Sequence, residues 1–269
     1  MADSYPTSDG RPRRSGRPRR RGRKVLVTLV VLVLLLGGLA VAADRVAVSV
    51  AERTIADQVQ QEVSRQRIDS AAPQVEVAGF PFLNQVVAGR YEQISIQLRD
   101  VRGSVQGNAV NLPSLDVDAR NVRASLDTLR TGQGDVIAET VDGTGTITYD
   151  SLAALLDRPG LKLGERDGRL AVTAPVDILG QELTVSGTAE VTVGDQGQVA
   201  LKVDEVDAEG LPALPLARTL LNQWAQGISI DVPLPELPFQ LTVREVRPLP
   251  GGLEVTADAR DVPINQRVG

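Results

Sequence analysis

The sequence predicts an α+β protein, with an apolar N-terminal helix leading into a domain of antiparallel strands that carries a few helices. Three observations predict it. Residues 25–43 (VLVTLVVLVLLLGGLAVAA) contain no charged side chain. Residues 44–66 place apolar side chains three or four apart, the spacing of one helix face. After residue 94 the apolar spacing becomes two, that of a strand with one buried face.

At the N-terminus, residues 1–24 hold nine of the 29 basic residues against Asp3 and Asp9, among Pro, Gly and Ser. Such a segment has too little apolar surface to fold on its own. Clustered guanidiniums would suit nucleic acid, but the apolar run that follows points to a membrane. A 19-residue helix rising ~1.5 Å per residue approaches the ~30 Å hydrocarbon thickness of a bilayer. The segment therefore reads as a transmembrane signal-anchor. The basic block before it puts the N-terminus in the cytoplasm and the remainder outside. Ala40-Val41-Ala42 also fits a cleavage site, in which case the domain is secreted; the run exceeds the usual ~7–15 residues of a cleaved signal, which favours retention. The expected organisation is a basic cytoplasmic tail (1–24), an anchor (25–43) and an extracytoplasmic domain (44–269).

Without its first 24 residues the chain keeps 20 basic and 32 acidic residues, a net charge of −12. This repels nucleic acid and gives no broad attraction to anionic headgroups, so membrane association falls to the helix or to apolar contact. Cysteine and histidine are both absent. That removes Ser-His-Asp and Cys-His catalysis and the usual zinc sets, leaving carboxylate, Ser-Lys or oxygen-ligated metal chemistry. Asp116 and Asp118, Asp204 and Glu205, Asp207 and Glu209, and Asp258 and Asp261 fall at polar positions of strands or turns. Gly194-Asp195-Gln196-Gly197 reads as a hairpin turn and Gly143-Thr144-Gly145 as the loose start of a strand; no calcium loop, GxGxxG or P-loop is present. A glycosidase would need two carboxylates ~5–9.5 Å apart and aromatic platforms for sugar, and the chain has one tryptophan and three tyrosines. No catalytic residue, cofactor or metal is expected.

In the domain, Val48, Ala51, Ile55, Val59 and Val63 form the apolar face of the helix over 44–66. It either continues the anchor or lies against the domain. Strands follow: Ile94, Ile96 and Leu98; Leu170, Val172 and Ala174; and Leu183 to Val193 in steps of two, turning through 194–197 and returning as Val199, Leu201 and Val203. Phe239, Leu241 and Val243 lead through Pro250-Gly251-Gly252 to Leu253, Val255, Ala257 and Ala259. The expectation is one antiparallel meander with one apolar face, covered by short helices at 151–156 and 215–226, the latter carrying Leu216, Leu220, Leu221 and Trp224. An internal echo sets Arg99-Asp100-Val101-Arg102 followed by Leu115-Asp116-Val117-Asp118-Ala119-Arg120-Asn121-Val122 beside Arg244-Glu245-Val246-Arg247 followed by Leu253-Glu254-Val255 and Asp258-Ala259-Arg260-Asp261-Val262, which fits two related half-sheets.

Residues 75–98, VEVAGFPFLNQVVAGRYEQISIQL, put two of the three phenylalanines around Pro81. Val77-Ala78-Gly79-Phe80-Pro81-Phe82-Leu83, Gln85 and Ala88-Gly89-Arg90-Tyr91-Glu92, followed by an alternating strand, resemble the signature of the actinobacterial lipomannan elongation factor A-like phospholipid-binding family. The resemblance is most specific over 75–98 and general from 44 to the C-terminus. It implies a fold similar to tubular lipid-binding (TULIP-like) proteins: a curved antiparallel sheet wrapping a long helix and enclosing an apolar cavity for the acyl chains of a phospholipid. It also implies a non-catalytic part in cell-envelope lipid or lipoglycan metabolism. The composition agrees, since aromatics are 3% of the chain and hydrophobics 42%, and an aliphatic cavity suits hydrocarbon, which needs no directional partner.

Phe80, Phe82 and Leu83 then either plug the core where helix meets sheet or form the mouth of the cavity against acyl chains or bilayer. Arg90 and Tyr91 either bind a phosphate headgroup or serve the strand edge. Leu220, Leu221, Trp224 and Phe239 are the remaining candidate lipid contacts, with Trp224 either core or cavity wall. The alternative function is a non-catalytic envelope scaffold whose apolar face takes a protein partner.

Overall fold

A computed structural model describes residues 20–105, 107–125, 127–128, 134–156, 159–178, 181–194, 197–208, 229–232 and 241–264. The chain divides into two compact units, Met1–Ala43 and Asp44–Gly269. Helix α1 runs Arg20–Arg65. Residues 44–65 contain neither proline nor glycine, so nothing interrupts the backbone ladder after the apolar run. In the first unit Leu26, Leu32, Leu36 and Leu39 stand exposed. Among the described residues α1 is the one helix long and apolar enough to cross a membrane.

The second unit contains β1 (Gln74–Ala78), α2 (Phe82–Ala88), β2 (Arg90–Val105), β3 (Asn108–Arg123), β4 (Ile137–Ile147) and α3 (Tyr149–Leu155). These are followed by β5 (Lys162–Arg166), β6 (Arg169–Ile178), β7 (Gln181–Val193), β8 (Val199–Ala208), β9 (Ser229–Val232), β10 (Thr242–Leu249) and β11 (Gly252–Pro263). The single meander expected from sequence is in fact two sheets. One has the order β1-β2-β3-β4-β11-β10 and the other β5-β6-β7-β8-β9, with antiparallel pairs throughout. Alternation marks which residues share a face, but it carries no information on which strands pair, and the β10–β11 hairpin returns to β4 across five intervening strands. The helix expected at 151–156 forms as α3, capped by the Thr148 hydroxyl, which accepts from the Ser151 N–H. The helix expected at 215–226, together with Phe239, lies outside the described residues.

Register shows how completely the first sheet divides its side chains. One face carries the rows Val77–Ile94–Ala119–Val141–Ala259, Val75–Ile96–Val117–Gly143–Ala257 and Leu98–Leu115–Gly145–Val255. The other carries Glu76–Ser95–Asp118–Asp142–Asp258 and Gln97–Asp116–Thr144–Thr256. On this polar face Arg99 donates to both carboxylate oxygens of Asp116 at 2.9 and 3.0 Å, and Arg120 pairs with Asp142 and Arg244 with Asp258. Asp116, Asp142 and Asp258 are thus accounted for as cross-strand partners on a solvated surface.

Part of the internal echo coincides with a special backbone conformation. Asp100, Asn121 and Asp261 all have positive φ, near 50°, and each stands immediately before an inward-facing valine, Val101, Val122 or Val262. Asp and Asn are the non-glycine residues that tolerate this left-handed conformation best. Each reverses the pleat, so that apolar side chains three apart, such as Ala119 and Val122, both turn inward. The [Asp/Asn]-Val step is a repeated device for re-aiming a strand.

Two core clusters close the aliphatic faces at their ends. In the first, Val48 of α1, flanked by Ala47, Ala51 and Ile55, packs with Val77, Phe82, Tyr91, Ala119, Val122, Ala124 and Ala138. In the second, Val199 with Val191 and Val193 of the second sheet meets Val243, Val246, Ala257, Leu253 and Val255 of the first.

Candidate functional site

Between the two clusters the apolar face of the first sheet continues through Ile96, Val117, Gly143, Leu115 and Gly145, which are half-buried and belong to neither cluster. The second sheet has a matching face, with Leu163–Val172–Gly187 and Ala174–Val185 in register and likewise half-buried. Gly143 and Gly145 lie mid-strand in β4, not at a loose strand start as the sequence suggests. A methyl group built on Gly143 would approach nothing closer than the Ala257 carbonyl oxygen at 3.9 Å, whereas at Gly145 it would meet Leu115 Cδ1 at 3.4 Å. The middle of the face is therefore a shallow aliphatic trough with open space over Gly143, while Leu115 lies against Gly145. Such a surface has no directional chemistry and can offer only burial to a hydrocarbon.

Residues 75–98 prove to be a docking module with one exposed apolar edge. After β1 the chain bends at Gly79, whose φ of 97° disfavours any side chain and where a Cβ would strike Gln85 and Glu92. A cis Phe80–Pro81 peptide follows, and α2 begins. Pro81 occupies the N-cap and offers no side-chain acceptor; Asp44 of α1 supplies one, its Oδ1 accepting from the Leu83 N–H at 2.9 Å. Gln85 is buried and ties three segments together, donating to the Ala78 carbonyl at 3.1 Å and accepting from the Glu92 N–H at 2.8 Å. Glu52 of α1 accepts from the Val77 N–H at 3.1 Å. Gly89 ends α2 in the left-handed conformation, with the Ala124 carbonyl 3.0 Å from where a Cβ would sit.

The structure separates the two phenylalanines. Phe82 is buried against Tyr91, with ring centroids 6.2 Å apart and tilted by 45°. Phe80 is 54% exposed, with the Arg45 guanidinium 5.3 Å above its ring, and Leu83 is 43% exposed. The two residues named for a headgroup line one depression but differ in exposure. Tyr91 points into the core, where its hydroxyl has no hydrogen-bond partner among the described residues and burial pushes its pKa up. Arg90 is exposed and stands directly opposite Arg123. Both line an open depression of about 340 Å³ together with Tyr91, Glu92, Asn121 and Glu139; Arg123 reaches Asp261 at 3.7 Å. A second depression of about 390 Å³ adjoins it around Val87, Gly89, Arg123 and Ile137. Among the described residues no three carboxylates gather as a metal site would require. Leu220, Leu221, Trp224 and Phe239 lie outside the described residues.

A profile of the LmeA-like phospholipid-binding proteins matches residues 42–258. The chain belongs to the LmeA-like phospholipid-binding family. Its match covers the C-terminal part of α1 and nearly the whole of the strand-rich unit, so the LmeA-like region is the part that carries both aliphatic faces and the docking module. No curated protein and no solved structure matches the chain. Sequence reasoning found the module through its Phe-Pro-Phe signature but missed α2 itself, Asp44 and Val87. Those depend on a contact between residues 39 positions apart, and only the absence of a capping side chain at Pro81 hinted at it.

Proposed function

We propose that the unit 44–269 holds a phospholipid by its acyl chains in an aliphatic site, tethered at the extracytoplasmic surface by the helix over 25–43, with residues 1–24 in the cytoplasm. The observation that carries the reading is the run of half-buried aliphatic rows left between the two core clusters, in a chain of the LmeA-like phospholipid-binding family. Each acyl methylene laid on that surface would gain ~0.8 kcal/mol. In this reading the first sheet curves about the C-terminal part of α1 in the tubular lipid-binding manner. Leu220, Leu221, Trp224 and Phe239 contribute further lipid contacts, and Arg90 with Arg123 meets the headgroup phosphate. No step of the reading needs catalysis; the protein supports envelope lipid or lipoglycan assembly by presenting or moving lipid.

Transfer of a fluorescent phospholipid from self-quenched vesicles to the purified protein tests the proposal. Saturable dequenching, weakened when Gly143→Leu fills the trough, supports it. Dequenching unaffected by Gly143→Leu places the lipid elsewhere, and none at all removes the function.

A further inference from the structure

Phe80, Leu83 and Val87 form an apolar edge of their own, 54, 43 and 88% exposed. Leu83 and Val87 are four apart and therefore share one face of α2, while Phe82 and Gln85 on the other side of this helix are buried. A short helix that spends its buried side on docking and leaves large aliphatic groups in water has an unpartnered face, and its place in the chain says what covers it. The Leu83 N–H is bonded to Asp44, the residue that directly follows the apolar run 25–43. At ~1.5 Å per residue that run accounts for nearly the whole ~30 Å of hydrocarbon, so Asp44 stands at the hydrocarbon boundary and α2 is bonded to it there. Two further features fit this level. Val46 and Val50 of α1 are also exposed, carrying apolar surface beyond Ala43, and Arg45 lies over the Phe80 ring, the pairing of cation and aromatic suited to the headgroup zone.

We infer that the Phe80–Leu83–Val87 edge is a membrane-surface contact, immersed in the outer interface of the bilayer that holds α1, so that the domain is seated on the membrane by two elements instead of swinging from one. This gives Phe80 and Leu83 a bilayer role distinct from lining a lipid cavity. Immersion of an amphipathic edge reaches only ~5–10 Å, to the boundary between headgroups and acyl chains. The inference rests on the anchor part of the functional reading and is independent of whether the aliphatic trough holds a lipid.

The absence of cysteine permits a direct test with the full chain. Single variants Leu83→Cys, Val87→Cys, Leu34→Cys and Val105→Cys are labelled with an environment-sensitive fluorophore and reconstituted into phosphatidylcholine–phosphatidylglycerol vesicles. Leu34 reports the apolar run, and Val105, exposed at the far end of β2, reports water. The expected result is quenching at 34 by a nitroxide deep in the acyl chains, quenching at 83 and 87 by a nitroxide near the headgroups, and quenching at 105 by aqueous iodide. Iodide quenching at 83 and 87 equal to that at 105, with 34 still quenched from the bilayer, overturns the inference and leaves the anchor standing. Protection at 83 and 87 from both iodide and lipid nitroxides overturns it in favour of a second protein copy. Failure of 34 to be quenched from the bilayer removes the anchor and the inference together.

Discussion

Replacing Asp44 with alanine removes the side-chain acceptor that, among the described residues, bonds α2 to α1. The helix has seven residues, too few to persist alone in water, and its N-cap proline provides nothing to the first turn. A capping oxygen is worth ~0.5–2 kcal/mol, and a hydrogen bond to a charged group ~1.5–3 kcal/mol. Against this, Asp44 is only 3% exposed and its second oxygen, Oδ2, has no partner among the described residues, so burying it already costs stability that the substitution returns. The hydrogen bond outweighs that relief, and a net loss of about 1–2 kcal/mol is expected. For a unit of this size each kcal/mol shifts Tm by ~2–4 °C, so Asp44→Ala should lower Tm by roughly 2–8 °C. Asp44→Asn keeps the acceptor and should lose less than half as much. Thermal unfolding followed by circular dichroism gives the shift, and hydrogen exchange of the Leu83 amide gives its location. An unchanged Leu83 exchange rate in Asp44→Ala, or a Tm equal to that of the parent, would refute the capping role.

The two phenylalanines should separate in the same assay. Phe82→Ala opens a cavity beside Tyr91 and costs ~3–5 kcal/mol, while exposed Phe80→Ala stays within ~0.5 kcal/mol of the parent. Gly143→Leu lays a side chain into open space on the aliphatic face; displacing two acyl methylenes at ~0.8 kcal/mol each weakens phospholipid binding about fifteen-fold, with Tm unchanged or raised. Gly89→Ala forces a side chain into the left-handed cap against the Ala124 carbonyl and should cost about 1 kcal/mol or more, read from urea midpoints. The Arg244 guanidinium beside Asp258 holds that carboxyl below the usual carboxylate range. The pair's contribution is therefore present above the unfolded carboxylate pKa of ~4 and is lost as the pH falls through the lower folded value. Asp258→Asn should flatten that part of the acid limb of a Tm–pH profile.

Whereas β1, β3, β5 and β9 were not singled out, the apolar helix, the period-two strands β2, β6, β7, β8, β10 and β11, the β7–β8 hairpin and α3 were legible in the sequence, because each depends on spacing within a short window. Strand pairing was not, since Leu253 meets Ile147 through a register that no local pattern encodes. The candidate site was legible in the same uneven way. The signature at 75–98 stands out through its phenylalanines and proline, yet which ring is buried depends on Asp44 and Glu52 of α1 and Gln85 of α2 bonding outside their own elements. Gly143 and Gly145 read as the loose start of a strand until the strands on either side put aliphatic side chains level with them. The match of Asn121-Val122 with Asp261-Val262 was visible in the sequence, but the positive φ that the two positions share was not.

The central claim, that this chain holds a phospholipid, is tested most directly by native mass spectrometry of the compact unit Asp44–Gly269, purified without detergent, followed by solvent extraction and lipid identification. The account predicts a stoichiometric adduct with the mass of a phospholipid, released by solvent and diminished in Gly143→Leu. A clean apo mass that takes up no lipid from added vesicles would contradict it.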